Sequence, residues 1–249
     1  MERTEVIMDM PITVSIPPML GIDVPGEVFD AIFAYFREID EGFSPFKPGS
    51  EVSRMSRGEL REYEASPRMR EVLRICRETS AQTDGYFSAW YGGAFDPSGV
   101  VKGWAVHEAS RMLDEMGYFD HCIDAGGDIE ARGRNAEGKP WEIGIRNPFD
   151  PTTIVKVLHL IDRGIATSGT YIRGDHIYDP KTGKPVVDGF ASLTVVGMDV
   201  CEADRLSTPA FAMGEAGIGF LASTPGIDAY IIGRDGMALF TPGLASYLE

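Results

Sequence analysis

The chain has 249 residues, of which 43% are hydrophobic and 24% are charged, and its formal net charge is -15 at pH 7. This composition is ordinary for a globular protein with a substantial core. The excess of 38 acidic over 23 basic side chains excludes a general binder of nucleic-acid phosphates, which needs a basic surface. One small anionic ligand is compatible with this charge, because a few backbone amides and a lysine can hold a phosphate.

The cysteines and the N-terminal residues favour a cytoplasmic protein. Cys76, Cys122 and Cys201 are far apart and form no CxxC pair, so neither a disulfide framework nor a structural zinc site is expected. Residues 1–16 (MERTEVIMDMPITVSI) lack an apolar segment with a small-residue cleavage site, and no stretch approaches the length of a membrane span. We therefore expect no signal peptide, no transmembrane segment and a cytoplasmic location, unless a leader is removed from a precursor.

The first half of the chain predicts one strand and three helices. Residues 10–16 alternate apolar and polar side chains, as a strand does, whereas residues 25–39 carry apolar side chains at helical spacing. A second helix is expected to begin with Ser66 as its N-cap and to stop at Gly85. A third follows Lys102 in the run GWAVHEASRMLDEMG and ends at Gly117.

The second half predicts mainly strands, with two helices near the end. Residues 121–133 (HCIDAGGDIEARG) indicate strand, glycine turn and strand, and further strands are expected in 141–148 and 156–169. Helices are predicted at 202–213 and 216–222, before a final hairpin over 227–243. Because no repeat or linker interrupts this irregular order, we expect an α+β (mixed α and β) fold in a single domain over residues 1–249, not a doubly wound sheet.

The stretch DPSGVVK at residues 96–102 offers groups for an anionic ligand. The helix that follows would point its unpaired amides toward this turn, and Lys102 could pair with a negative charge, while Asp96 could accept a hydrogen bond. A capped helix start with a solvated lysine is the alternative. Farther along, the two glycines of DAGGD (124–128) would let a ligand approach the backbone, although they also suit a plain hairpin turn.

Two later stretches add proton-transfer and metal-binding candidates. GIATSG (164–169) is followed by His176, whose near-neutral pKa suits proton transfer, although a lone histidine is more often structural. Asp204 and Thr208 are four residues apart on a predicted helix, so both oxygens share one face and suit magnesium. An unremarkable surface pair is the alternative there.

Nine stretches follow one another in the order found in one family of flavin enzymes: MDMPITVSI, FREIDEGFSPFKPGSEVSRMS, TDGYF, DPSGVVKGWAVHEAS, IDAGGDI, WEIGIRNP, GIATSG, HIYDPKTGKPV and EADRLSTPAFAMG. Over residues 8–240 the sequence resembles the FAD:protein FMN transferase (ApbE) family. The resemblance implies two closely packed α and β subdomains with a flavin nucleotide in the cleft between them. It also implies a magnesium-dependent enzyme that cleaves FAD, attaches FMN through a phosphoester to a threonine or serine of a target protein, and releases AMP.

The resemblance also implies the partners and leaves two alternative functions open. The expected acceptor is a flavoprotein with a Ser/Thr-Gly-Ala-Thr-like segment. An FAD pyrophosphatase would use the same groups with water as the nucleophile, and a non-catalytic FAD-binding protein would only store the nucleotide.

Roles of individual residues are carried over from the same resemblance. The best candidate for deprotonating the acceptor hydroxyl is His176. The metal is expected to bind the carbonyls of Gly99 and Cys201 and the side chains of Asp204 and Thr208. Contacts to FAD are expected from Met8, Phe46, Tyr86, Ser88, Asp96, Lys102, Gly126, Gly127, Asp128 and Ile177.

The sequence also departs from the family pattern. Ser88 stands where a carboxylate is usual, so a contact to the nucleotide is expected to be weakened. Phe46 replaces a frequent tyrosine and keeps a stacking face without the hydroxyl, and Asp9 replaces a common glycine. Many relatives are exported lipoproteins, but no lipobox cysteine occurs near this N-terminus.

Overall fold

The computed structural model describes residues 1–18, 21–169, 178–186 and 189–248. The helices in these ranges are α1 (Gly26–Phe43), α2 (Glu51–Ser56), α3 (Pro67–Gln82), α4 (Ser98–Glu115), α5 (Val200–Ala212) and α6 (Glu215–Ser223). The strands are β1 (Glu2–Ile7), β2 (Met10–Ser15), β3 (Trp90–Tyr91), β4 (Ala94–Phe95), β5 (His121–Ala125), β6 (Asp128–Arg132), β7 (Trp141–Asn147), β8 (Asp150–Leu160), β9 (Arg163–Gly169), β10 (Tyr178–Asp179), β11 (Lys184–Pro185), β12 (Phe190–Gly197), β13 (Asp228–Gly233) and β14 (Ala238–Phe240). Short 3-10 helices lie at Glu62–Glu64 and Pro242–Tyr247.

One antiparallel sheet connects the two ends of the chain. Its order is β1-β2-β5-β6-β9-β12-β13-β14, and the remaining strands form the two-stranded pairs β3–β4, β7–β8 and β10–β11. In the centre of the sheet, Glu130 of β6 lies opposite Gly164 of β9. The middle strands β5, β6, β9 and β12 therefore form a continuous platform beneath α4 and α5, which contact them.

Hydrophobic side chains cover both faces of this sheet. On one face, α1–α4 pack with β1, β2 and β5 in one cluster, and α5 and α6 pack with β9, β12 and β13 in a second. On the other face, the β7–β8 hairpin and the C-terminal 3-10 helix cover Cys122, Ile165 and Val196. Neighbouring residues such as Ile165 and Ala166 point to opposite faces, as the strand period requires. The mixed α and β class expected from the sequence is thus confirmed.

Several elements differ from the sequence-based expectation. Helix α4 begins at Ser98, so Gly99 and Lys102 lie in its first two turns and not in a turn before it. The prediction was wrong because a helical glycine was interpreted as a loop signal, although the residue after Pro97 already has helical conformation. Strand β12 was not predicted because all its residues are buried, and such a strand lacks the alternation that marks a half-exposed one. Strand β1 and helix α2 were also missed.

Within the ranges that the structure describes, no helix combines the length and the apolar character needed to cross a membrane.

Candidate functional site

Three charged side chains from distant segments meet between α4, β6 and α5. Lys102 Nζ lies 2.5 Å from Asp128 Oδ2, and the Asp128 side chain is only 3% exposed. Asp204 is buried, and the charges of Asp128 and Lys102 both act on its carboxyl. We call these residues the acid–lysine group. Among the described residues, this group places two buried acids beside one partly buried ammonium, an arrangement that favours an additional cation.

The electrostatics of Asp204 reflect this arrangement. Burial and the neighbouring Asp128 charge raise the pKa of Asp204 above its usual value, while Lys102 and the Gly103 N–H oppose that rise. Bringing a cation close to the two carboxyls would relieve their mutual repulsion. The same side chains would then have a direct role in binding an ion.

Helix α5 approaches α4 closely at Gly103. The Gly103 N–H donates to Asp204 Oδ2 at 2.8 Å, and a Cβ added to Gly103 would lie 2.6 Å from Asp204 Cβ and 2.7 Å from the Val200 carbonyl oxygen. In an α-helix, the N–H of residue 103 also faces the carbonyl of residue 99. The Gly99 carbonyl and the Asp204 carboxylate, two of the predicted metal ligands, therefore converge on the same amide.

Hydroxyl groups continue the polar surface one turn farther along α5. Thr208 Oγ1 lies 3.2 Å from Ser168 Oγ, which is 2.8 Å from Ser207 Oγ. Ser207 and Ser168 are buried, whereas Thr208 is half-buried. The remaining predicted ligand, Cys201, is buried in the first turn of α5 and lines a 260 Å³ cavity between α3, α4 and α5.

The described residues contain no group of three or more His, Cys, Asp or Glu side chains that could hold a metal ion. The predicted ligand set does not need one, because it combines a single carboxylate with a hydroxyl and backbone carbonyls. Oxygen-only donors of this kind suit a hard cation such as Mg²⁺. The convergence of Gly99 and Asp204, together with the charge deficit of the acid–lysine group, fits such an ion.

The double glycine forms the turn between β5 and β6. Gly126 and Gly127 have φ values of 63° and 100°, and the Gly127 N–H donates to Asp124 Oδ1 at 2.7 Å. Burial raises the pKa of Asp124, and the Asp128 charge adds to this effect. The hairpin alternative is therefore realised, and the same turn delivers Asp128 to the acid–lysine group as the first residue of β6.

Asp96 and Ser88 make local contacts near the start of α4. Asp96 is exposed and its Oδ1 accepts from the Ser98 N–H at 3.0 Å, but the N-cap residue of α4 is Pro97 and the helix has no side-chain cap. Ser88 Oγ donates to the Trp90 carbonyl at 2.7 Å and lines a 470 Å³ cavity that also includes Arg77. Neither contact prevents Asp96 from meeting a ligand, because its side chain faces solvent.

The predicted flavin neighbours lie at the surface. Phe46 is 84% exposed between α1 and α2, and Met8 is partly buried at the β1–β2 turn with φ 57°. Lys181 Nζ lies 4.1 Å above the Tyr86 ring and 2.7 Å from Asp84 Oδ2. The exposed Phe46 ring is therefore accessible to a planar ligand, whereas Tyr86 already has a cation above it.

The hairpin β10–β11 packs against the loop after α3. Tyr91 and Tyr178 stack with ring centroids 3.7 Å apart, and the Tyr91 hydroxyl donates to the Gly183 carbonyl at 3.1 Å. The predicted base His176 and the predicted ligand neighbour Ile177 lie outside the described residues. Their assignments stay predictions.

Two residues at this site were missed by the sequence analysis. Gly103 sets the distance between α4 and α5, and its only sequence signal is a glycine within a helical run. Glu130 is fully buried on β6, two residues after Asp128, and its signal is the alternation of acids in Asp-Ile-Glu. Both have partners far away in sequence.

Comparisons with known proteins show which family the chain belongs to. The sequence model described as the ApbE family matches residues 8–95 and 91–231. The chain is 32% identical over 162 residues to the FAD:protein FMN transferase of Haemophilus influenzae. This match covers 61% of this chain and 47% of that protein. The chain is 30% identical over 165 residues to the protein of that name in Escherichia coli K12, with the same two coverages. The match thus spans about half the length of these curated relatives.

Solved structures share the whole fold. The flavin transferase ApbE from Vibrio cholerae superposes with a TM-score of 0.88 at 21% identity, covering 100% of this chain and 99% of that one. The apo form of the flavinyl transferase ApbE from Pseudomonas stutzeri gives a TM-score of 0.85 at 22% identity, with coverages of 100% and 96%. At these identities the likeness establishes the fold, and the ApbE-like fold expected from the sequence is confirmed.

The Gly103 contact generates a first prediction. Gly103→Ala should lower the free energy of unfolding by about 2–3 kcal/mol, because the added methyl group overlaps α5 backbone and Asp204. Urea denaturation measures this. Gly219→Ala in α6 is the matched control, since nothing lies within 4 Å of its added Cβ, and it should be neutral or stabilising by up to about 1 kcal/mol. Equal effects of the two substitutions would contradict the close approach.

Proposed function

Because the chain belongs to the ApbE family, we propose that it is a magnesium-dependent FAD:protein FMN transferase. It would cleave FAD, attach FMN through a phosphoester to a threonine or serine of a target protein, and release AMP. The observation that carries this proposal is the meeting of Lys102, Asp128 and Asp204 beside the Gly103 amide of α4. Residues 1–249 would act as one transferase domain, since a single sheet joins β1 to β14.

Each group of the site has a distinct part in this reaction. Asp204, Thr208 and the carbonyls of Gly99 and Cys201 would hold Mg²⁺, which when bound offsets charge on the phosphate oxygens. Lys102 would pair with the diphosphate of FAD, and its contact with Asp128 keeps the ammonium group oriented toward the site. The partly buried position of Lys102 strengthens such a pair relative to one in open water.

The nucleotide itself would extend outward from the acid–lysine group. The glycine turn of Gly126 and Gly127 leaves the backbone accessible beside Asp128, and the exposed Asp96 could accept a hydrogen bond from a ribose or ring group. Phe46 and Met8 would flank the flavin, for which a large exposed aromatic face is suited. Tyr86, Ser88 and Ile177 complete the proposed contacts.

Transfer requires activation of a weak nucleophile. His176 would take the proton from the acceptor hydroxyl while the oxygen of that hydroxyl forms a bond to the FMN phosphorus. The bond between that phosphorus and the bridging oxygen breaks, and AMP leaves with the bridging oxygen. With water in place of the hydroxyl, the same groups would produce FMN and AMP, which is the pyrophosphatase alternative.

Incubation with FAD and Mg²⁺ tests the function directly. We expect covalent flavin, seen as in-gel fluorescence, on an added flavoprotein with a Ser/Thr-Gly-Ala-Thr-like segment, together with one AMP per flavin. An acceptor with alanine at the hydroxyl residues of that segment is the control and should stay unlabelled. Free FMN with no labelling would establish hydrolysis instead, and no turnover with a competent acceptor would establish FAD storage.

Removal of the proposed metal carboxylate gives a second functional prediction. Asp204→Ala should abolish transfer and the response of the protein to Mg²⁺, because the only carboxylate of the proposed ligand set is lost. Transfer rates over a magnesium titration measure both. Glu202→Gln on the same helix is the control and should stay within about twofold of the wild type, because the partly exposed Glu202 carboxylate pairs with Arg205 and is not in the proposed ligand set. Full activity of Asp204→Ala with an unchanged magnesium response would refute the metal assignment.

The proposed base can be tested separately from binding. His176→Ala should leave FAD affinity largely intact while slowing transfer by about two to four orders of magnitude, since only proton abstraction is removed. Flavin fluorescence titration and single-turnover labelling measure the two quantities. His159→Ala on β8 is the matched histidine control and should label normally. Normal labelling by His176→Ala would mean that another group is the base.

A further inference from the structure

Glu130 is a buried acid with no place in the predicted ligand set. It is fully buried on β6. Asp128, two residues earlier on the same strand, belongs to the acid–lysine group. Residues two apart on a strand point to the same face, so both acids face α4 and α5. A buried carboxylate is unfavourable unless it is paired, and therefore the partners of Glu130 indicate its role.

The partners of Glu130 include the first residue of α5. Glu130 Oε2 accepts from the Val200 N–H at 2.6 Å, one of the helix amides that have no partner within the helix. Its Oε1 lies 2.5 Å from an Arg132 guanidinium nitrogen and 3.6 Å from His107 Nδ1. Burial lowers the pKa of His107, but Glu130 and Asp199 outweigh this and the net shift is upward, so charge on His107 helps to balance the acid.

The hydrogen bond between Glu130 and Val200 joins α5 to the sheet, whereas the side-chain cap of α5 makes only a local bond. Asp199 caps α5 by accepting from the Glu202 N–H at 2.8 Å, and that bond is local. Glu130 reaches Val200 across 70 residues of sequence. Gly164, directly opposite Glu130 on β9, makes room for it, because a Cβ there would lie 1.8 Å from the Val200 nitrogen.

Two bonds hold the start of α5 at points one helical turn apart. Val200 and Asp204 are four residues apart, about 6 Å along a helix. The Val200 N–H donates to Glu130 on β6, and the Asp204 carboxylate accepts from the Gly103 N–H on α4. These bonds fix the position of α5 against the sheet and against α4.

We propose that Glu130 is a positioning residue for the metal site. By holding the start of α5, it keeps Asp204 at the Gly103 amide, and it keeps Thr208 one turn farther along the same helix. The inference rests on the proposed function, since it assigns Glu130 to the magnesium site of that reaction. Residues that orient metal ligands typically contribute 10- to 100-fold to metal affinity.

The test compares Glu130→Gln and Glu130→Ala with the wild-type protein. Mn²⁺ binding is followed by electron paramagnetic resonance of the free ion, with FAD present and the acceptor absent. We expect the Kd for Mn²⁺ to rise about tenfold in Glu130→Gln, which keeps an acceptor for Val200 but loses the charge, and by more in Glu130→Ala. Affinity for FAD without metal should change by less than about twofold, and transfer at saturating Mg²⁺ should recover to within about threefold.

Leu244→Ala is the control for a general loss of stability. Leu244 is fully buried on the opposite face of the sheet, so its truncation should destabilise the fold without changing the Kd for Mn²⁺. The proposal is overturned if Glu130→Gln is folded and binds Mn²⁺ like the wild type, or if Leu244→Ala weakens binding equally. A wild-type protein that binds no Mn²⁺ would instead remove the proposed function, and this inference with it.

Discussion

The structure depends on how closely α5 can approach α4 and the sheet. Two glycines make this approach possible, Gly103 on α4 and Gly164 on β9, since a Cβ on either would overlap α5. The resulting contact brings the Asp204 carboxylate to a backbone amide 101 residues earlier in the chain. Without it, the buried Asp204 carboxylate would lose this N–H donor, which is unfavourable. Packing and the chemistry of the site therefore share one geometric requirement.

The buried charges explain why such packing is useful. Replacing a buried ion pair with hydrophobic side chains often costs no stability, so charge of this kind is weak evidence for a purely structural role. Among the described residues here, one ammonium is paired with the buried Asp128, and both charges act on the buried Asp204. An arrangement that is incompletely balanced by the protein is well suited to a charged ligand, and a metal together with a diphosphate would supply both signs. The family membership and this local imbalance point in the same direction.

The sequence predicted local features better than long-range ones. Helix α3 begins with the Ser66 cap, whose side chain accepts from the Met69 N–H, because capping depends only on neighbouring residues. Strand β12 could not be distinguished by periodicity because it is buried on both faces. In the site, the order of short motifs was enough to associate Lys102, Asp128 and Asp204. Gly103 and Glu130 were missed because their roles depend on partners 101 and 70 residues away.

The site has two parts with different physical properties. Asp128, Asp204 and Glu130 are buried and Lys102 is partly buried, so substitutions there should affect folding as well as the proposed chemistry. Phe46 and Asp96 are exposed, so substitutions there should have little effect on folding. Ser88 is partly exposed, and its hydroxyl donates a hydrogen bond to the Trp90 carbonyl. The hydroxyl therefore stabilises the local turn and supplies no charge. In the proposed reaction, Ser88 would therefore offer the nucleotide no charge, and its recognition would depend on Asp96, Lys102 and the glycine turn.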